Sequence, residues 1–128
     1  MFTISLTKTY AKPVTIRQLF GDDILFRLTG ADEISSEFET GAAFRLTFND
    51  RGIIHGQFIK IGGDEVVLEW NVEGFQRPGE TKTVVEISLV EDNRQCVLSL
   101  KHGNIMSNES AAAKERAWGE LLDDIEKE

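Results

Sequence analysis

The chain opens on strict alternation. Phe2, Ile4 and Leu6 are separated by Thr3, Ser5 and Thr7, which predicts a half-buried strand ending near Tyr10. Lys12-Pro13 closes it, because proline has no N–H for a ladder and biases the residue before it toward extended geometry. The period then lengthens. Ile16, Leu19, Phe20, Ile24, Leu25 and Leu28 recur at helical spacing, with Gly21 dividing the stretch into two short helices and Asp22 placed to cap the second. Ile34 and Phe38, four apart, predict one more helical turn over Ala31 to Glu37.

From Ala42 the period is two again. Ala42, Phe44, Leu46 and Phe48 alternate with Ala43, Arg45 and Thr47, and Asn49-Asp50-Arg51-Gly52 turns the chain into a strand over Ile53 to Ile61. Gly62-Gly63-Asp64 is a second tight connection, followed by Val66, Leu68, Trp70 and Val72 in alternation. A longer loop spans Glu73 to Glu80. Val85, Ile87 and Leu89 make the next strand, Glu91 to Arg94 the next turn, and Cys96, Leu98, Leu100 and His102 the last strand. Consecutive strands with short links predict an antiparallel meander with one wet face.

The chain ends in a helix. Ser107 or Asn108 can cap it, Ala111-Ala112-Ala113 favours it, and Ala117, Trp118, Leu121, Leu122 and Ile125 form an apolar stripe. A stripe this wide must be covered, and the sheet is the large partner available. The pattern predicts a single α+β domain over residues 1–128, with about six curved antiparallel strands wrapped on a long C-terminal helix and short helices after the first strand.

Composition narrows the class of function. The 128 residues are 41% hydrophobic and 28% charged, a balance that supports a packed core. With 14 Lys+Arg against 22 Asp+Glu the net charge is −8, which argues against nucleic acid and anionic membrane as partners. A single Cys excludes a disulfide framework, and two His without a fixed carboxylate pattern do not make a metal site. The start of the chain has neither a basic leader nor a long apolar run, so the expectation is a cytoplasmic protein without membrane insertion. No nucleophile elbow, Gly-rich phosphate loop or Cys–His signature is present, so no catalytic residue and no cofactor is expected, and a binding role is favoured over catalysis.

Three stretches carry a family resemblance. Gly56-Gln57-Phe58-Ile59-Lys60-Ile61 with Val66-Val67-Leu68-Glu69-Trp70 resembles a Gly-led strand and a partner ending in Trp. Val85 to Leu89 with Cys96 to Gly103 resembles the closing strands with their terminal His, and Ala117-Trp118-Gly119-Glu120-Leu121-Leu122 carries the Trp of the final helix. These features are similar to the START/SRPBCC helix-grip superfamily, the fold of the major birch pollen allergen. Within it they resemble a small bacterial branch similar to the heat-shock-protein-90 ATPase activator homologue. The chain departs from the pattern at Glu37, where relatives often have Trp, and at Cys96, where they often have Thr. The resemblance implies a helix-grip fold that binds an apolar ligand between helix and sheet. It leaves open two alternatives, a protein-interaction module related to chaperone ATPase activators and a small cyclase- or hydrolase-type enzyme on aromatic substrates.

The expected lining of the interlayer space is Phe44, Phe48, Phe58, Leu68, Trp70, Ile87, Leu98, Leu100 and His102 from the sheet, and Trp118, Leu121 and Leu122 from the helix. The same inward residues could equally fill a solid core. His102, in phase with Leu98 and Leu100, is either a pocket acid–base or a hydrogen-bonded structural residue at a strand end. His55, next to Gly56 and out of phase with Phe58, is expected at the surface.

Overall fold

A computed structural model describes residues 1–76 and 79–127. Seven strands form one antiparallel sheet: β1 (Phe2–Tyr10), β2 (Glu33–Ser36), β3 (Ala43–Phe48), β4 (Gly52–Ile61), β5 (Glu65–Gly74), β6 (Glu80–Asp92) and β7 (Gln95–Ile105). Their order across the sheet is β1-β7-β6-β5-β4-β3-β2, so every neighbour except the β1–β7 pair is also a neighbour in sequence. A π-helical turn, Arg17–Gly21, and a short helix α1 (Ile24–Leu28) follow β1, and the long helix α2 (Asn108–Ile125) lies across the sheet. This is the helix-grip architecture. Among the described residues no helix is long and apolar enough to cross a membrane.

The alternating residues fall on the faces that their period assigns. Phe44, Leu46 and Phe48 of β3, Leu68 and Trp70 of β5, Val85 and Ile87 of β6, and Leu98 and Leu100 of β7 are all buried. On α2, Trp118, Leu122 and Ile125 are buried at spacings of four and three. Ser107 caps this helix, its hydroxyl oxygen accepting from the Ser110 N–H at 3.1 Å. Two ties hold α2 to the edge strand β1. The Tyr10 hydroxyl donates to the Leu122 carbonyl at 2.8 Å, and Lys8 reaches Asp123 at 3.0 Å and Glu126 at 3.3 Å.

Three local expectations are corrected. The segment expected as a helical turn contains β2, with Ile34 opposite Leu46. Spacing of four is even, so it puts Ile34 and Phe38 on one side of an extended chain as well as on one side of a helix, and pairing to the free edge of β3 decides between them. This strand raises the total from about six to seven. Asp22 does not cap α1. Its N–H closes the π-helical turn onto the Arg17 carbonyl at 2.9 Å, and Asp23, at φ 59°, occupies the position before α1. The predicted loop from Glu73 is shortened because β5 continues to Gly74 and β6 begins at Glu80; Arg77 and Pro78 lie outside the described residues.

One glycine is required by close packing. A Cβ at Gly56 would collide with the Glu69 carbonyl oxygen and stand 3.1 Å from the Phe44 ring. The ring therefore packs directly on β4, and this lets an aromatic cluster fill one end of the interlayer space. Phe26 stacks on Phe44 with centroids 5.0 Å apart, while Phe20 meets Phe26 at 5.4 Å and Phe58 at 6.0 Å edge to face.

Candidate functional site

Along α2 from Ala113 to Asp124 the two layers separate. Lys114, Ala117, Trp118 and Leu121 face the sheet at helical positions i, i+3, i+4 and i+7. Ile54 of β4 and Trp70 and Val72 of β5 face them from below, and Leu28 and Thr29 close one side. The remaining lining is Phe48, Arg51, Phe75, Ala113, Glu120 and Asp124. Together they enclose an open cleft of about 310 Å³. This is at the low end of the ~300–1,000 Å³ common for small-molecule pockets.

The walls are set by local geometry. Trp70 and Trp118 meet with centroids 5.1 Å apart and ring planes tilted by 49°, so the two indoles form the back of the cleft. Phe75 follows β5 at φ 60°, held by its N–H on the Arg51 carbonyl at 2.7 Å. Its ring occupies the space that a side chain at Gly52 would need, 2.8 Å from where a Cβ would sit. Phe75 then meets Phe48 edge to face at 5.3 Å, and the Arg51 guanidinium lies 5.2 Å from the Phe48 ring centre.

Of the residues expected to line a cavity, Phe48, Trp70, Trp118 and Leu121 border this cleft. Phe44, Phe58, Leu68, Ile87, Leu98, Leu100, His102 and Leu122 lie behind it in the packed interior, each no more than 2% exposed. Ile54, Val72, Phe75, Arg51 and Lys114 border the cleft without having been singled out in sequence. Lys114 was legible as the residue four before Trp118. Phe75 was not, because it sits in a turn where no periodicity operates.

His102 is at the back of the site and is fully buried. The Trp118 indole N–H donates to His102 Nδ1 at 3.0 Å, which places the ring proton on Nε2. Nε2 then donates to the Thr83 hydroxyl at 2.9 Å, and Thr83 donates to the Trp70 carbonyl. Both ring nitrogens are thus committed to structural bonds. Burial, reinforced by the nearby Lys114 ammonium and only partly opposed by Glu80, pushes the imidazole down to about 3. The ring is neutral, oriented and without a free nitrogen for proton transfer. His55 sits on the outer part of β4, 3.4 Å from Glu73 and 36% exposed.

A buried ion pair borders the cleft. Glu80 accepts from Lys114 at 2.6 Å, from the Ser110 hydroxyl at 2.8 Å and from the Met106 N–H at 2.7 Å. The Lys114 and Glu80 side chains are only 11% and 7% exposed. Burial acts to raise the Glu80 carboxyl, but the bonds from Lys114, Met106 and Ser110 outweigh it and hold the group below its ordinary range. The pair pins the start of α2 to β6. Among the described residues no three His, Cys, Asp or Glu side chains stand close enough to hold a metal ion.

A second groove, about 400 Å³, runs between the Tyr10–Val14 segment, Leu19, Ile24 and the end of α2 at Ile125. Buried Tyr10, Leu19 and Ile125 line it together with the exposed Lys12, Gln18 and Glu126. The first cleft differs in having two buried indoles and a buried ammonium on its walls.

The comparisons agree with this architecture. An HSP90 activator from Plasmodium falciparum superposes with a TM-score of 0.73 at 20% identity, over 97% of this chain and 93% of that one. The Mll3558 protein from Rhizobium loti gives 0.77 at 14% identity over 98% and 95%, and the Aha1 dimer from Colwellia psychrerythraea gives 0.71 at 18% identity over 98% and 94%. At these identities the likeness is one of fold. No curated protein matches the sequence significantly. The family model described as Activator of Hsp90 ATPase homolog 1-like protein matches residues 8–128, nearly the whole chain. The chain, with its seven-stranded sheet, gripping helix and paired tryptophans, therefore belongs to the Activator of Hsp90 ATPase homolog 1-like family.

Proposed function

We propose that the protein binds a small, predominantly apolar molecule in the cleft between α2 and the sheet, without catalysing its conversion. The observation that carries this reading is the cleft itself, an open space of about 310 Å³ walled by Trp70, Trp118, Ile54, Val72 and Leu121, beside the part of the interface that Phe26 and Phe44 close by stacking. Burial of apolar ligand surface at ~25 cal/mol per Å² supplies the affinity. The modest volume favours a single ring or a medium-length chain over a sterol.

Ala117 is the position for a test, because it borders the cleft and is exposed, so a larger side chain there fills the space without overpacking the core. Alkylbenzenes, medium-chain alcohols and sterols are screened by thermal unfolding of the wild type and of Ala117→Trp. A ligand at 100 times its Kd is expected to stabilise the wild type by ~2.7 kcal/mol. The same compound is expected to leave Ala117→Trp unchanged. Equal stabilisation of both chains, or of neither with any compound, contradicts the proposal.

A second reading, a protein-interaction module of the chaperone-activator kind, is favoured by a different observation. Met1, Phe2 and Met106 are exposed at 86%, 37% and 64%, the pairing of Phe2 with Ile105 brings them to one end of the sheet, and none of the three lines the cleft. A contact made there is expected to survive Ala117→Trp, which separates the two readings.

A further inference from the structure

The polar groups on the cleft restrict what its occupant can carry. Among the described residues Lys114 is the only charged side chain of the lining that is nearly buried, at 11% exposure; Asp124 keeps 45% of its side chain in water, and Arg51 and Glu120 are exposed. An ammonium has three N–H donors and no acceptor. Among the described residues Lys114 directs one to Glu80 at 2.6 Å and one to the Ser110 hydroxyl at 3.2 Å, which leaves a third. A ligand oxygen at this wall therefore has a donor to meet.

The charge balance selects the kind of oxygen. Glu80 already neutralises Lys114, so a carboxylate ligand would make a second anion share one ammonium in a poorly hydrated site. Glu120 and Asp124 in the lining and a net charge of −8 add to the repulsion, with Arg51 as the opposing cation among the described residues of the rim. A bare hydrocarbon leaves the third N–H unmet. An uncharged carbonyl oxygen satisfies it without adding charge. Along α2, Lys114 and Asp124 are ten residues apart, about 15 Å at 1.5 Å per residue, so a molecule anchored at Lys114 extends its apolar part past Trp118 toward Leu121.

We propose that Lys114 is the specificity-determining donor of the cleft, and that the ligand is an uncharged apolar molecule bearing a carbonyl oxygen, such as an aryl or alkyl ketone or ester. This rests on the binding role argued above.

The test compares butyrophenone, butylbenzene and phenylbutanoate by calorimetry. The ketone is expected to bind the wild type about tenfold tighter than either analogue, the equivalent of one hydrogen bond to a charged group. Lys114→Met is expected to bring the ketone down to the hydrocarbon and to leave butylbenzene unaffected. Because that change strands the Glu80 carboxylate, the double variant Glu80→Gln/Lys114→Met carries the same comparison if the single one does not fold. The carbonyl stretch of bound butyrophenone is expected at lower frequency in the wild type than in the variant, a signature that a purely structural lysine would not produce. Equal binding of ketone and hydrocarbon to the wild type overturns the role of Lys114 while the binding reading stands. Tightest binding of phenylbutanoate overturns the uncharged-ligand assignment. Binding of none of the three overturns the binding reading itself.

Discussion

Replacing Trp118 with alanine is expected to lower the free energy of unfolding by about 3–5 kcal/mol, measured by chemical denaturation. Two losses combine. The indole is only 4% exposed and packs on Trp70 at 5.1 Å, so its removal opens a void at the junction of helix and sheet. It also removes the donor to His102 Nδ1, leaving a buried acceptor unpaired. Trp118→Phe separates the two. It retains most of the volume but not the N–H, and about 1–3 kcal/mol is expected to be lost. A protein stable by ~5–15 kcal/mol has little reserve against the alanine change. If Trp118→Ala costs no more than an exposed helix substitution, α2 is not gripped through this residue.

The second large effect is on acid stability. The His102 imidazole ordinarily titrates at 6.5, and in the folded protein burial brings it to about 3. Between those values the unfolded chain takes up a proton that the folded chain refuses. Stability from the neutral ring is therefore complete above pH 6.5 and falls as the pH drops from 6.5 toward 3, by about 1.4 kcal/mol per unit. Lys114 and Glu80 are the charged groups acting on the ring. The Glu80 carboxyl lies below its ordinary 4.5, so its own stabilising contribution is present above that pH and is lost only beneath it. The interval from 6.5 to 4.5 thus belongs to His102 and is expected to cost about 2–3 kcal/mol. Glutamine at this position can accept from Trp118 and donate to Thr83 without titrating. His102→Gln is expected to remove that slope, and subtracting its profile from the wild type cancels the exposed carboxylates and also Asp23, whose carboxyl burial raises. Parallel profiles for the two proteins would show that the ring is not held neutral by its surroundings.

Both effects arise from residues whose inward direction was legible in the sequence. The two-residue period placed Trp70, Leu98, Leu100 and His102 on the inner face, and helical spacing placed Trp118 opposite them. Whether an inward residue meets space or another side chain is a different matter. It depends on what arrives from distant parts of the chain. Phe20 and Phe26, from the short helical segments, occupy the space in front of Phe44 and Phe58, whereas Trp70 and Trp118 keep open space before them. Period alone treats these four inward positions alike. The β2 strand was hidden by a spacing of four, which suits helix and strand equally, and Phe75 depended on a turn geometry and on the missing side chain of Gly52. The ion pair of Glu80 with Lys114 joins residues 34 positions apart, and no local pattern links them.

The most direct test of a ligand-binding cleft follows the two indole N–H resonances, from Trp70 and Trp118, by NMR as butyrophenone is added. Both tryptophans wall the cleft, and these are the only indoles in the chain. The account predicts saturable movement of both signals, with the amides of Ile54 and Leu121 moving alongside. Static indole signals, or movement confined to Val14, Ile24 and Ile125 in the second groove, would contradict it.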